Sequence, residues 1–201
     1  VVREGDTFAT GETLHSVGYQ ELLRKCASEI GWGSKPVRSG AGRVHGKGLS
    51  VSIKSTITPS ASRAEVRVYE DGSTAVLTST VEMGQGSDTA LAQIAAQALE
   101  IDPGRVQVIH PDTAATPYDM TTSSSRSTFH MGNAVILAAE DAKEQLQAAA
   151  AAILKAAPED LVYEGGEFFV PSQRERRISL AEAARGMGTS HGGVTGRGVF
   201  R

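Results

Sequence analysis

Residues 64–98 constrain the fold most, because two side-chain periods meet within them. Ala64, Val66 and Val68 alternate with Glu65, Arg67 and Tyr69, which is the period of a half-buried strand. Asp71-Gly72 follows, a pair suited to the positive-φ positions of a tight hairpin turn. The return strand is predicted over about Ser73–Val81. At Glu82-Met83-Gly84-Gln85-Gly86 the alternation stops, and from Ser87-Asp88 the period becomes helical, with Leu91, Ile94, Ala95 and Ala98 on one face. A hairpin that feeds a helix, within a chain carrying further hairpins and helices, predicts an α+β fold: a mixed or antiparallel sheet with packed helices.

The remaining elements follow the same signals. A helix is predicted from a Ser16 cap through Tyr19, Leu22, Leu23, Cys26 and Ile30, stopped by Gly31. Residues 33–47 are glycine-rich and read as a loop, and Leu49–Thr58 as a strand. Pro103-Gly104 turns the chain into a strand over Arg105–His110. Residues 111–131 are a long polar stretch, of the kind that is functional or disordered in a compact domain. An alanine-rich helix is expected from Gly132 to Lys155, then a hairpin over Leu161–Val170 around Gly165-Gly166, then a helix over Leu180–Met187 capped by Ser179. At 201 residues the chain can form one domain or two small lobes, the latter divided as 1–60 with 160–201, and 61–157. Val1 is no initiator, and the tail from Thr195 reads like the start of another element, so a piece of a longer chain is expected.

Composition narrows the function classes. A formal net charge of -3 lacks the basic excess by which nucleic-acid binders displace counterions. No apolar run reaches membrane-spanning length, so no membrane partner is expected. Cys26 is the single cysteine, which excludes an internal disulfide and fits a reducing, cytoplasmic setting. His15, His45, His110, His130 and His191 show no paired ligand spacing, so no metal ligand is assigned. Ser124, His130 and Asp119 could be imagined as a hydrolase triad, but no Gly-x-Ser-x-Gly elbow frames a serine. Gly84-Gln85-Gly86 lacks the lysine of a P-loop.

Two segments can carry chemistry. The first turn of a helix has unpaired N–H groups and partial positive charge, and glycines let a ligand approach the backbone. Gly84-Gln85-Gly86 before Ser87 therefore forms an anion site, or simply a tight turn with a helix cap. Thr121 through Thr128 place seven hydroxyls in eight residues ahead of Gly132-Asn133. They form either a second oxyanion site at a helix mouth or a solvated loop with a cap. Taken together, the two mouths would suit one ligand rich in oxyanions, such as a phosphorylated cofactor.

The run Glu82-Met-Gly-Gln-Gly-Ser-Asp-Thr-Ala-Leu-Ala-Gln-Ile-Ala-Ala96 resembles the large, molybdopterin-binding subunits of the xanthine dehydrogenase/aldehyde oxidase molybdenum hydroxylases. Pro111-Asp-Thr113, Thr116-Pro117, Ser125-Arg-Ser-Thr128 and Gly132-Asn-Ala-Val135 are similar at matching spacing. So are Arg3-Glu-Gly-Asp6, Thr10-Gly11, Val17-Gly18 and Gly31-Trp32, so the resemblance covers about residues 3–150. It implies a partial molybdenum cofactor-binding domain, in which Met83, Gly84, Gln85 and Gly86 lie beside the pyranopterin and Ser123, Ser124 and Ser125 contact the pterin and its phosphate. The cofactor so implied is molybdopterin, its cytosine dinucleotide being one form. Iron–sulfur clusters and FAD are expected only in partner domains or subunits, alongside the rest of the molybdenum subunit and a small-molecule substrate. The implied reaction oxidises an aldehyde or N-heteroaromatic carbon with oxygen from water. The catalytic glutamate's Gly-Val-Gly-Glu segment, the Gly-Gly-Phe-Gly loop and the arginine loop of the first molybdenum domain are missing, so no catalytic residue is assigned and the piece alone is expected to be inactive. A stand-alone phosphate-binding or protein-interaction module is the alternative.

Overall fold

The computed structural model describes residues 2–9, 11–35, 38–39, 42–53, 60–188 and 192–201. They fall into two units, Val1–Ser55 and Thr56–Arg201.

In the first unit, helix α1 spans Tyr19–Glu29 and two short strands, β1 (Arg38–Ser39) and β2 (Arg43–Val44), pair antiparallel. Ser16 is not the helix cap. It has a left-handed φ of 58°, Gly18 stands at the cap position, and the amide N–H groups of Ser16 and Val17 donate to the Glu4 carboxylate instead. The expected strand over Leu49–Thr58 does not form at residues 49–53, which have no ladder partner and, apart from the half-buried Leu49, lie exposed; residues 54–58 lie outside the described ones.

The second unit is built on a four-stranded mixed sheet. Strands β3 (Ser62–Val68) and β4 (Thr74–Leu77) form the hairpin that the alternation predicts. Gly72, at φ 80°, makes the turn, and the Asp71 carboxylate accepts from the Ser73 backbone and hydroxyl. Ala64, Val66 and Val68 are buried, as their alternation requires. From β4 the chain passes through helix α2 (Ser87–Ala98) to β5 (Val106–Ile109), which pairs parallel to β4. A parallel pair needs such a crossover, and this is the sheet's one parallel pairing among the described strands.

Helix α3 (Gly132–Leu154) lies across β3 and the last strand, β9 (Val194–Phe200). Its alanines favour helix and also leave room. Gly196 and Gly198 of β9 sit so close that a Cβ at either would collide with the carbonyl oxygen of Ala138 or Ala134. Strands β6 (Val162–Glu164), β7 (Glu167–Phe169) and β8 (Arg177–Ser179) make a small antiparallel sheet, followed by α4 (Leu180–Gly186). Ser179 and Glu182 form a capping box at α4, as the sequence predicts for Ser179. The Arg177 guanidinium stacks 4.4 Å from the Phe169 ring and pairs with Glu167 at 3.2 Å.

β9 pairs along its whole length with β3, from Ser62 opposite Phe200 to Val68 opposite Val194. The C-terminal residues therefore belong with the 61–157 core, and the expected grouping of 160–201 with 1–60 is not the observed division. The reason is topological: the central strand β3 needs a second neighbour, and β9 supplies it.

Candidate functional site

The chain leaving β4 is stitched to the polar stretch 111–131 by side-chain bonds. The Ser79 hydroxyl donates to the Pro117 carbonyl at 2.6 Å and shares a bond with Thr116 at 2.9 Å. The Val81 N–H donates to the Thr122 hydroxyl at 2.8 Å. These bonds bring together segments about 40 residues apart. Between them opens a cavity of about 350 Å³, lined by Met83 and Gln85 on one wall and by Thr122–Ser125, Ser127 and Thr128 on the other. The two motifs singled out in the sequence thus share one cavity. Its lining carries six hydroxyl-bearing side chains and no carboxylate.

The first wall differs from expectation in one respect. Gly84 and Gly86 have φ of 96° and 82°, a conformation that glycine adopts without strain. They do not lend their amides to the cavity, because Glu82 has taken them. Its carboxylate accepts from the N–H groups of Gly84 (2.7 Å), Gly86 (3.1 Å) and Asp88 (3.1 Å) and from the Ser87 hydroxyl (3.1 Å). The anion at the mouth of α2 is the protein's own. The Asp88 and Gly86 amides, foremost among these donors, hold the Glu82 pKa at about 2. Gln85 is likewise braced: its carbonyl oxygen accepts from the Met83 N–H at 2.6 Å, and its amide donates to the Val81 carbonyl at 2.7 Å and the Ser87 hydroxyl at 3.1 Å. Glu82 was the residue that spacing alone missed. An acidic side chain just ahead of a positive helix end was the available signal.

The second wall extends a boundary. Helix α3 opens at Gly132 as predicted, but a π-helical turn, Ser127–Met131, runs straight into it. The helical mouth therefore lies at Ser127, directly after the serine bend, and π-turns recur at functional positions. Ser124 and Ser125 are both left-handed, with φ of 58° and 57°, a sparsely populated state for such residues. Arg126 pins the bend from behind: its backbone N–H donates to the Ser123 carbonyl at 3.1 Å.

His130 is buried against the Phe129 and Phe200 rings, in edge contacts at centroid distances of 5.4 and 5.5 Å. Neither ring nitrogen has a hydrogen-bond partner, and burial, then the nearby Arg126 charge, lowers its pKa. Asp119 is committed to Arg126 at 2.7 Å. No Ser124–His130–Asp119 triad is assembled.

The donor set fits a phosphorylated pterin, since hydroxyls serve both phosphate oxygens and the polar edge of a ring and no carboxylate on the lining repels an anion.

The chain matches known proteins over most of its length. The model of the molybdopterin cofactor-binding domain matches residues 16–201. The chain is 34% identical over 173 residues, 86% of its length, to the gamma subunit of the 6-hydroxypseudooxynicotine dehydrogenase complex of Paenarthrobacter nicotinovorans. It is 34% identical over 120 residues, 60% of its length, to the carbon monoxide dehydrogenase large chain of Hydrogenophaga pseudoflava. These matches span only 20% and 15% of the relatives. A solved Cu,Mo-CO dehydrogenase superposes with a TM-score of 0.64 at 29% identity, over 69% of this chain and 18% of that one. The quinoline 2-oxidoreductase of Pseudomonas putida 86 shares the fold, with a TM-score of 0.63 over 98% of this chain and 28% of its own. The chain belongs to the molybdopterin cofactor-binding domain family.

Proposed function

We propose that this chain forms part of a molybdenum hydroxylase that oxidises an aldehyde or N-heteroaromatic carbon, with water as the oxygen source, and that its contribution is one side of the pterin cradle. The observation that carries the reading is the shared cavity, with Met83 and Gln85 facing Ser123, Ser124 and Ser125 across it. Gly84 and Gly86 act indirectly, giving the turn the positive-φ shape that presents Met83 and Gln85. Ser123, Ser124 and Ser125 supply hydroxyl donors to the phosphate and pterin oxygens. Glu82 neutralises the α2 mouth and fixes the turn, so the oxyanion-binding duty falls on the serine wall.

The molybdopterin, when bound, supplies the redox-active metal. This chain's residues bind and orient it, and none among them is assigned to proton transfer. The relatives named as subunits of dehydrogenase complexes support partners of the same kind here. Those are the rest of the molybdenum subunit, with iron–sulfur clusters and FAD in other domains or subunits. The cytosine dinucleotide form of the cofactor and a cytoplasmic location complete the reading. Among the described residues no helix is long and apolar enough to cross a membrane. A free-standing phosphate-binding module is not favoured, since the helix mouth best suited to free phosphate is filled by Glu82.

The test is metal and pterin content in the natural protein. Gln85→Ala and the triple change Ser123→Ala/Ser124→Ala/Ser125→Ala are each expected to lower bound molybdenum and pterin severalfold while the protein stays folded. Wild-type content in both variants would refute the cradle.

A further inference from the structure

Arg126 and Asp119 form the most deeply buried ion pair among the described residues, with side chains 0% and 1% exposed, yet neither lines the cavity. The guanidinium reaches four acceptors. One nitrogen donates to the Asp119 carboxylate at 2.7 Å and the Thr121 carbonyl at 2.8 Å; the other donates to the hydroxyls of Ser62 at 2.8 Å and Ser60 at 3.0 Å. Ser62 in turn donates to the same Asp119 oxygen at 2.9 Å. One side chain therefore bolts the start of the loop (Asp119, Thr121) to its end at position 126, and both to the first residue of β3. Thr122–Ser125, which lie between the bolts, make up most of that cavity wall.

A buried ion pair is a poor device for stability, because desolvation opposes its attraction, and apolar replacements of similar volume often do as well. This pair is not even saturated: the guanidinium Nε and the second Asp119 oxygen are buried without partners. What the bolts do secure is shape. Two consecutive serines hold left-handed backbone, which relaxes readily unless its surroundings over-determine it.

We propose that Arg126, paired with Asp119, is a positioning residue that locks the Ser123–Ser125 bend and so governs affinity for the pterin cofactor without touching it. This rests on the cradle reading above, and the test separates the two. The natural protein would carry Asp119→Leu/Arg126→Met, which removes both charges together, or Arg126→Lys, which keeps the charge but loses the fork. Three quantities would be measured: retained molybdenum and pterin after prolonged gel filtration, the apo-protein's thermal midpoint, and amide exchange across 122–128 and across α3. The double variant is expected to keep its midpoint and the protection of α3, to exchange faster at 122–128, and to retain at least tenfold less cofactor. Arg126→Lys should lie between it and wild type, which covers the case in which the double variant does not fold. Wild-type retention in Arg126→Lys and in any folded double variant would overturn the proposal. If retention is instead insensitive to the triple serine change, the cradle reading itself has failed; sensitivity there with none at Arg126 sinks only the clamp.

Discussion

Glu82 shows how one side chain decides what a motif can do. Glycines at 84 and 86 and a helix starting at Ser87 were legible in the sequence as an anion nest or a capped tight turn, but that the cap is the chain's own carboxylate was not. It depends on a carboxylate folding back over its own turn, which spacing does not encode. Because its folded pKa is about 2 against an ordinary value of 4.5, Glu82 contributes stability that is complete above about pH 4.5 and lost as the pH falls toward 2. Glu82→Gln should flatten that acid limb, as read by urea midpoints between pH 5 and 2.5; a limb unchanged from wild type would contradict the assignment. His130 works at higher pH. Burial lowers its pKa from 6.5, so the unfolded chain takes up its proton first, and stability present above about pH 6.5 declines below it. His130→Phe should remove that part of the decline between pH 8 and 5, measured the same way. The seven serine and threonine hydroxyls of 121–128 were readable as a candidate wall, whereas the buried Arg126–Asp119 bolt behind them was not, since burial is a tertiary property.

At the scale of elements, long and strongly periodic segments were read correctly: the β3–β4 hairpin, α2, α3 and α4 with its Ser179 cap. The failures have local causes. Alternation over 49–53 was not matched by a partner strand, and a strand without a ladder leaves its backbone groups to water. Gly132 does begin α3, but the π-turn ahead of it moves the helical mouth back to Ser127, and the glycine also serves packing, as a Cβ would press on the Ile94 side chain. The β9 glycines have the same origin. Gly198→Ala would drive a methyl group into the α3 backbone at Ala134, and overpacking of this kind costs about 1–3 kcal/mol or more. Ser179→Ala should cost about 1 kcal/mol through loss of the α4 cap, equivalent to a fall of roughly 2–4 °C in thermal midpoint for a domain of this size. Thermal melts of the two variants should rank Gly198→Ala as the more damaging; the reverse order would argue against the close α3–β9 approach.

At the scale of the molecule, composition and element order were enough to give an α+β fold with a mixed sheet, and the structure has one. The strand order was not legible, because β9 joins β3 from more than 120 residues away and no local signal announces a long-range partner. The same distance problem hid the stitching of Ser79 and Val81 to the polar loop, although it is this stitching that turns two separate motifs into opposite walls of one cavity. The central claim is that those walls hold a single guest. A structure of the cofactor-loaded natural protein tests it most directly. The account predicts pterin or phosphate atoms within hydrogen-bonding distance, about 3 Å, of both Gln85 and the Ser123–Ser125 bend. A cofactor placed elsewhere, with this cavity filled by the protein's own side chains, would contradict it.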